Sequence, residues 1–151
     1  MRNRCHQRIV AGIVIICLGA LWGCPPGRDP IQVVFPEGSQ DWDTNDDGQI
    51  VMLVRFSRAV DMNSLAPGEN VIFNSDKVTN ADLTIEPGEY ADEILITTLD
   101  SLLDLLGTGA FTLLLKGDGP SPIRCVRGLP LDGDNSGESG GDFMHMYTLV
   151  I

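Results

Sequence analysis

Two short loops carry the oxygen-bearing side chains and glycines that a calcium site requires. In the first loop, Asp43, Asn45 and Asp47 alternate along the chain and are followed by Gly48. Alternate oxygens can turn inward on a tight loop, and a glycine permits the bend. An EF-hand would place its bidentate acid at Val54, and valine cannot coordinate a metal. The first loop therefore holds only half of a calcium-binding pattern.

The second loop repeats this half-pattern near the end of the chain, where Phe143 occupies the EF-hand position of the bidentate acid. Because Asp, Asn and Gly are also common turn formers in solvated loops, each loop has an alternative interpretation as an ordinary polar turn. The sequence thus predicts Ca²⁺ as a candidate cofactor without deciding between the two interpretations. The candidate ligands of the second loop are Asp132, Asp134, Ser136, Glu138 and Asp142.

The rest of the sequence offers no catalytic constellation. It lacks the common nucleophile, zinc-hydrolase and phosphate-loop motifs. His145 shares the parity of Phe143 and Tyr147 in the predicted last strand, which favours a partly buried strand residue over a ligand or base. Trp42, between two aspartates, is either a stacking platform for a sugar or a residue packed over a sheet edge. We therefore predict that the protein is not an enzyme.

The composition indicates one acidic, turn-rich β domain. The chain has 151 residues, 21 acidic and 10 basic residues, and a formal net charge of -11. A surface of this sign repels phosphate backbones, which argues against nucleic-acid binding. The 17 glycines and 9 prolines, against 6% aromatic residues, favour a β protein over a helical bundle.

The first 23 residues have the layout of a secretory signal. Arg2, Arg4 and Arg8 precede an uncharged apolar run over residues 9–23. This run is too short to span the roughly 30 Å of bilayer hydrocarbon comfortably, as expected for a signal helix rather than a membrane span.

The apolar run ends at Cys24 in a sequence that resembles a bacterial lipobox. Leu21 and Gly23 match that pattern, while Trp22 is bulkier than usual at its place. The resemblance implies that Cys24 is diacylated, becomes the new N-terminus and anchors the protein in a membrane, with residues 24–30 as a tether. The lack of an aspartate after the cysteine implies the outer membrane, if two membranes are present. The alternatives are an ordinary cleaved signal or an uncleaved signal anchor.

Processing at Cys24 would change both the thiol content and the charge. Cys5 and Cys17 would leave with the signal, so Cys125 would be the one free thiol and no internal disulfide could form. We predict that Cys125 is a small buried strand residue, with a reactive or intermolecular thiol as the alternative. The loss of three arginines and no acid would bring the net charge to about -14.

Short β-rich runs separated by turn residues predict an all-β, Ig-like Greek-key β-sandwich of about seven strands over residues 31–151. One or two short helical turns are expected: a single turn over residues 60–65, and a helix over 99–107 whose leucines recur at helical spacing. Residues 39–48 are expected to form a polar loop. Strands are predicted at residues 31–35, 50–57, 71–73, 81–85, 94–98, 111–116 and 143–151.

Three segments in order, residues 54–65, 109–117 and 131–143, resemble the bacterial Ig-like domain of S-layer proteins (the SbsA Ig-like family). The last is close to the family ending "leu-asp-gly … gly-gly-asp-phe". Residues 123–128 depart from the family pattern, which often has an acid before the turn glycine. The resemblance covers residues 31–151 and implies a spacer, adhesive or accessory module without enzymatic activity.

Together these observations predict a lipid-anchored module of the cell envelope with a structural, spacer or interaction role. Its expected partners are the membrane, through the N-terminal lipid, and other envelope proteins or polysaccharide. The alternative is a calcium- or carbohydrate-binding surface protein that uses the acidic loops.

Overall fold

The computed structural model describes residues 29–34, 42–105 and 109–148. The predicted signal (1–23), Cys24 and the first residues of the tether lie outside the described residues, as do the predicted strand ends at 35 and 149–151. Within the described ranges, eight strands form two antiparallel sheets, which pack as a β-sandwich. No helix in these ranges is long and apolar enough to cross a bilayer.

The strands alternate with only two short helical elements. A 3₁₀ helix spans Met62–Ser64, and helix α1 spans Leu102–Leu105. The strands are β1 (Val33–Val34), β2 (Trp42–Thr44), β3 (Gln49–Phe56), β4 (Val71–Ser75), β5 (Leu83–Pro87), β6 (Glu93–Ser101), β7 (Ala110–Leu115) and β8 (Phe143–Thr148).

The order of the strands is that of an immunoglobulin constant-type domain. One sheet has the order β1-β3-β6-β5, with β2 following β1 along the same edge of β3. The other sheet has the order β4-β7-β8. If β1 and β2 are taken as one interrupted edge strand, the sheets correspond to the four-plus-three ABED and CFG arrangement. The predicted all-β, Ig-like sandwich is confirmed.

The alternation along β3 and β7 fills the core between the sheets. Because successive side chains of a strand point to opposite faces, every second residue of each strand points inward. These inward residues, each at most 1% exposed, are Ile50, Met52, Val54 and Phe56 of β3 and Phe111, Leu113 and Leu115 of β7.

The prediction of a polar loop over residues 39–48 is wrong at residues 42–44, which form strand β2, whereas residues 45–48 form a turn and residues 39–41 lie outside the described residues. Strand β2 pairs with β3, with Trp42 opposite Met52, so that residues 42–56 form a hairpin. The Trp42 ring meets the buried ring of Phe111 edge-on, with centroids 5.5 Å apart. Burial of this large side chain stabilises a strand whose flanking residues are polar.

The prediction of a helix over residues 99–107 is also wrong in its first half. Strand β6 continues to Ser101, which pairs with Gln49, and only Leu102–Leu105 is helical. The leucines are spaced as in a single helix, but the chain changes from strand to helix between Ser101 and Leu102. Leu103 is 84% exposed, whereas Leu105 is fully buried.

The corner after β3 forms as its residue types predict. Asp61 caps the 3₁₀ helix by accepting a hydrogen bond from the backbone N–H of Asn63 at 3.0 Å. Val60 forms an antiparallel bridge with Cys125, which is buried and has a free thiol. The prediction that Cys125 is a small buried strand residue is confirmed for its burial, whereas the residue lies in an isolated bridge outside the named strands.

Candidate functional site

The second acidic loop, residues 131–142, is called the closing loop because it leads into the final described strand. Its first residue is fully buried: Leu131 forms a parallel bridge with Ile31. The backbone N–H of Asp132 then donates to the carbonyl of Ile31 at 2.8 Å. The closing loop therefore begins inside the core, beside the first residues of the domain.

Two glycines let the backbone of the closing loop pass close to its neighbours. The N–H of Gly133 donates to the carbonyl of Gly141 at 3.0 Å. A Cβ at Gly133 would lie 2.2 Å from the backbone nitrogen of Phe143, and one at Gly117 would lie 2.1 Å from the Gly141 oxygen. Only glycine is compatible with such close approach of backbone segments.

The centre of the closing loop is the carboxylate of Asp132, which is fully buried. Its Oδ1 accepts hydrogen bonds from the backbone N–H of Ser136 at 2.9 Å and from the Ser136 hydroxyl at 3.3 Å. Its Oδ2 accepts from the side-chain amide of Gln32 at 2.7 Å and from the N–H of Gly137 at 2.9 Å. Both oxygens of this buried acid thus have donors.

These donors decide the charge of Asp132. Burial acts to raise the pKa of its carboxyl group, because a low-dielectric environment penalises the charged form. Hydrogen bonds from Gln32, from the backbone of Gly137 and Ser136, and with the side chain of Asp134 act in the opposite direction and outweigh burial. The net pKa of Asp132 lies below its usual value, so the group is ionised at neutral pH.

The other acids of the closing loop also accept backbone hydrogen bonds or face solvent. Asp142 Oδ1 accepts from the N–H groups of Gly117 at 3.1 Å and Asp118 at 3.3 Å. Asp134 Oδ1 accepts from the N–H of Ser136 at 3.2 Å, and Glu138 is exposed. Asp142 therefore ties the start of β8 to the residues that follow β7.

The first acidic loop is the turn of the β2–β3 hairpin. Asn45 Oδ1 accepts from the N–H groups of Asp47 at 3.1 Å and Gln49 at 2.9 Å, and the N–H of Gly48 donates to the Asn45 carbonyl at 2.9 Å. Asp43 Oδ1 accepts from the N–H of Thr44. The side chains of this loop are exposed and stabilise the turn locally.

In this arrangement most of the candidate calcium ligands take part in hydrogen bonds within the protein. Across residues 29–34, 42–105 and 109–148, no three His, Cys, Asp or Glu side chains are grouped so as to hold a metal ion. Four hydrogen-bond donors surround the Asp132 oxygens, and these N–H and O–H groups occupy the directions from which a cation would be bound. Calcium binding stays a prediction.

The remaining candidates are incorporated into the packing of the sandwich. The imidazole of His145 is half-buried beside the ring of Tyr147, with centroids 4.5 Å apart. Trp42 packs against the core rather than standing clear of it. Carbohydrate binding by Trp42 stays a prediction.

Sequence reasoning missed three polar residues that organise the fold. Gln32 reaches Asp132 across 100 positions of sequence, so no local pattern signals the pair. Glu93, only 4% exposed, pairs across strands with Arg55 and raises the pKa of that guanidinium through its hydrogen bond and its charge. Buried Asn70 donates to the carbonyls of Ser64 and Ser121.

The sequence matches no protein-family model, and no curated protein is significantly similar to it. The function is therefore argued from the residues and geometry of this chain.

Proposed function

We propose that this chain is a lipid-anchored, non-catalytic Ig-like module with a structural, spacer or interaction role at a bacterial cell envelope. The observation that carries the proposal is a filled β-sandwich that begins a few residues after a signal-like segment ending at Cys24. A lipid anchor supplies attachment to the membrane, and a well-packed sandwich supplies a stiff body beyond it.

The chemistry of the acidic loops supports a structural role. Asp142 accepts backbone hydrogen bonds from Gly117 and Asp118, and Asp132 accepts a side-chain hydrogen bond from Gln32, so both acids join segments that are distant in sequence. Asn45 accepts backbone hydrogen bonds within one hairpin. A general acid or base needs a carboxyl group that faces a substrate. The acids that first suggested chemistry instead stabilise the ends of the sandwich, which favours a spacer or interaction module over an enzyme.

Lipidation of Cys24 is the step that tests this proposal. The full chain should be expressed in a bacterium supplied with a labelled fatty acid, and the N-terminal peptide of the purified protein should be analysed by mass spectrometry. We expect an acylated peptide that begins at Cys24, and loss of the label in Cys24→Ser. Cys17→Ser is the matched control, since it changes a cysteine within the same apolar run and should keep the label.

A mature N-terminus at another residue, or an unmodified Cys24, would refute the anchored module. In a host with two membranes, the membranes are then separated and the protein is assayed in each fraction. We expect it in the outer membrane. Recovery of the wild-type chain in the soluble periplasmic fraction would contradict the proposal.

A further inference from the structure

A cavity of about 500 Å³ opens at the end of β3, between residues 57–59 and the turn formed by residues 125–128. This volume lies in the range of small-ligand sites. Arg58 and Arg127 line the cavity together with Asp29, and the apolar part of its wall includes Val126. We call it the arginine cavity.

Backbone hydrogen bonds hold the two sides of the arginine cavity in place. The N–H of Gly128 donates to the Cys125 carbonyl at 2.8 Å, which closes the turn and presents Arg127 near its tip. The N–H of Val126 donates to the Ala59 carbonyl at 3.1 Å, which fixes this turn against the chain that follows β3. The cavity is therefore formed by the fold rather than by the positions of long side chains alone.

The charge of the arginine cavity is opposite in sign to that of the chain. Acidic residues outnumber basic ones by 21 to 10, yet two guanidinium groups and one carboxylate line this cavity. The pair between Arg58 and Asp29 is long, at 3.8 Å, and Asp29 is 85% exposed, so the pair is weak and screened by salt. Arg124, outside this lining, donates to the Gly128 carbonyl at 2.8 Å and so supports the turn that carries Arg127.

Arg127 is the residue best placed to bind a ligand. Its side chain is exposed and makes no hydrogen bond or ion pair with the part of the chain that the structure describes. Guanidinium groups form paired hydrogen bonds with planar or tetrahedral oxyanions, and arginines on two walls can share the several oxygens of a phosphate. An anion held here would lie beside Val126, an apolar side chain that is 65% exposed.

We propose that the arginine cavity binds a phosphate group, and that the headgroup of an anionic membrane lipid is its source. The choice of source rests on the proposed function. Cys24 lies five residues before Asp29, a span of at most about 18 Å, so a lipidated Cys24 keeps the cavity near the bilayer surface. Bound headgroups would then hold this end of the sandwich against the membrane.

The first experiment is thermal unfolding of the full chain in a nonionic detergent. Inorganic phosphate is titrated against sodium chloride at equal ionic strength. We expect a saturable rise in melting temperature with phosphate, because a ligand that binds only the folded state stabilises it. In Arg127→Gln the phosphate concentration for half-saturation should rise at least tenfold. The exposed position of Arg127 makes this variant tolerable to the fold.

Lys77→Gln is the matched control, since it also removes one positive charge. Lys77 follows β4 at the opposite end of the sandwich and donates to the Leu103 carbonyl. The Lys77→Gln variant should bind phosphate with the same half-saturation concentration as the wild type. An equal phosphate response in the wild type and in Arg127→Gln would overturn the proposal, as would the absence of any response in the wild type.

The second experiment identifies the source of the phosphate. The full chain is placed in bilayer discs of phosphatidylcholine, with or without phosphatidylglycerol. We expect the anionic lipid to raise the melting temperature of the wild type and of Lys77→Gln, but not of Arg127→Gln. A response to free phosphate without a response to the anionic lipid would overturn the headgroup as the source. The free-phosphate titration does not require acylation, so its outcome is independent of the Cys24 result.

Discussion

The two acidic loops share a pattern of oxygen-bearing residues and glycine but differ in their structural roles. The turn of the β2–β3 hairpin is exposed, and its side chains bond to backbone groups within a few residues. The closing loop has the same alternation of oxygen-bearing residues and glycine, yet Asp132 is fully buried and bonds to Gln32. The difference arises from what lies opposite each loop: solvent for the first, and the chain before β1 and after β7 for the second.

The comparison shows that an Asp-rich, Gly-rich pattern predicts hydrogen-bond acceptors and sharp turns. The pattern does not predict which donors will bond to those acceptors. In the hairpin the acceptors hold a turn that two strands would bring together in any case. In the closing loop they join segments that are distant in sequence, so a defect there should affect the whole sandwich. Matched substitutions in the two loops should therefore lower the free energy of unfolding by different amounts, with the larger loss in the closing loop.

The largest expected effect is that of Gly133→Ala. The added Cβ would overlap the backbone of residues 141–143, which cannot move without breaking the start of β8. We expect a loss of about 4 kcal/mol in the free energy of unfolding, or failure to fold. Urea titration of the full chain in detergent measures it.

Gly137→Ala is the matched control, because a Cβ there meets nothing within 4 Å although its φ is +89°. It should cost only about 1 kcal/mol. Similar losses in the two variants would mean that close approach of the backbone is not what the closing loop requires.

The second effect is the loss of the buried carboxylate. Asp132→Ala leaves the donors of Gln32, Ser136 and Gly137 without their acceptor, and we expect a loss of about 3 kcal/mol. Asp43→Ala in the hairpin should change stability by less than about 0.5 kcal/mol, because Asp43 is exposed and its carboxylate accepts a hydrogen bond from the adjacent residue. Equal effects in a urea titration would contradict the contrast between the loops.

The third prediction concerns pH. The folded-state pKa of Asp132 is lowered, so its stabilising contribution is fully present above the unfolded-state value of about 3.9 and is lost as the pH falls through the folded-state pKa. The difference in unfolding free energy between the wild type and Asp132→Asn should therefore shrink as the pH is lowered below about 4. If the difference in unfolding free energy between the wild type and Asp132→Asn does not change with pH, the assignment of a charged Asp132 carboxylate is refuted.

Much of the fold follows from local patterns in the sequence. Alternation along β3 and β7 identifies the inward faces, because each strand has one face on the core. The single helical turn predicted over residues 60–65 corresponds to the 3₁₀ helix Met62–Ser64. These features depend on neighbours in sequence, which is why they could be predicted.

The errors and omissions have a common physical cause in long-range contacts. Trp42 belongs to a strand because Met52 and Phe111 lie beside it in the folded protein. Leu99 does not belong to the helix that contains Leu102–Leu105, because β6 is extended by pairing of Ser101 with Gln49. The role of Asp132 depends on Gln32, and no local spacing could reveal it.

Calcium gives the smallest expected effect and the sharpest test of the comparison. If Asp132 keeps its donors, neither loop offers a set of free convergent oxygens, and millimolar calcium should leave the melting temperature of the full chain within about 1 °C of the value with chelator. Magnesium at equal concentration controls for screening of the acidic surface. A saturable rise with calcium that is lost in Asp134→Ala would show that the closing loop exchanges hydrogen bonds for a metal. In that case the hairpin variant Asp47→Ala should retain the rise, and the contrast between the loops would lie in metal binding as well as in burial.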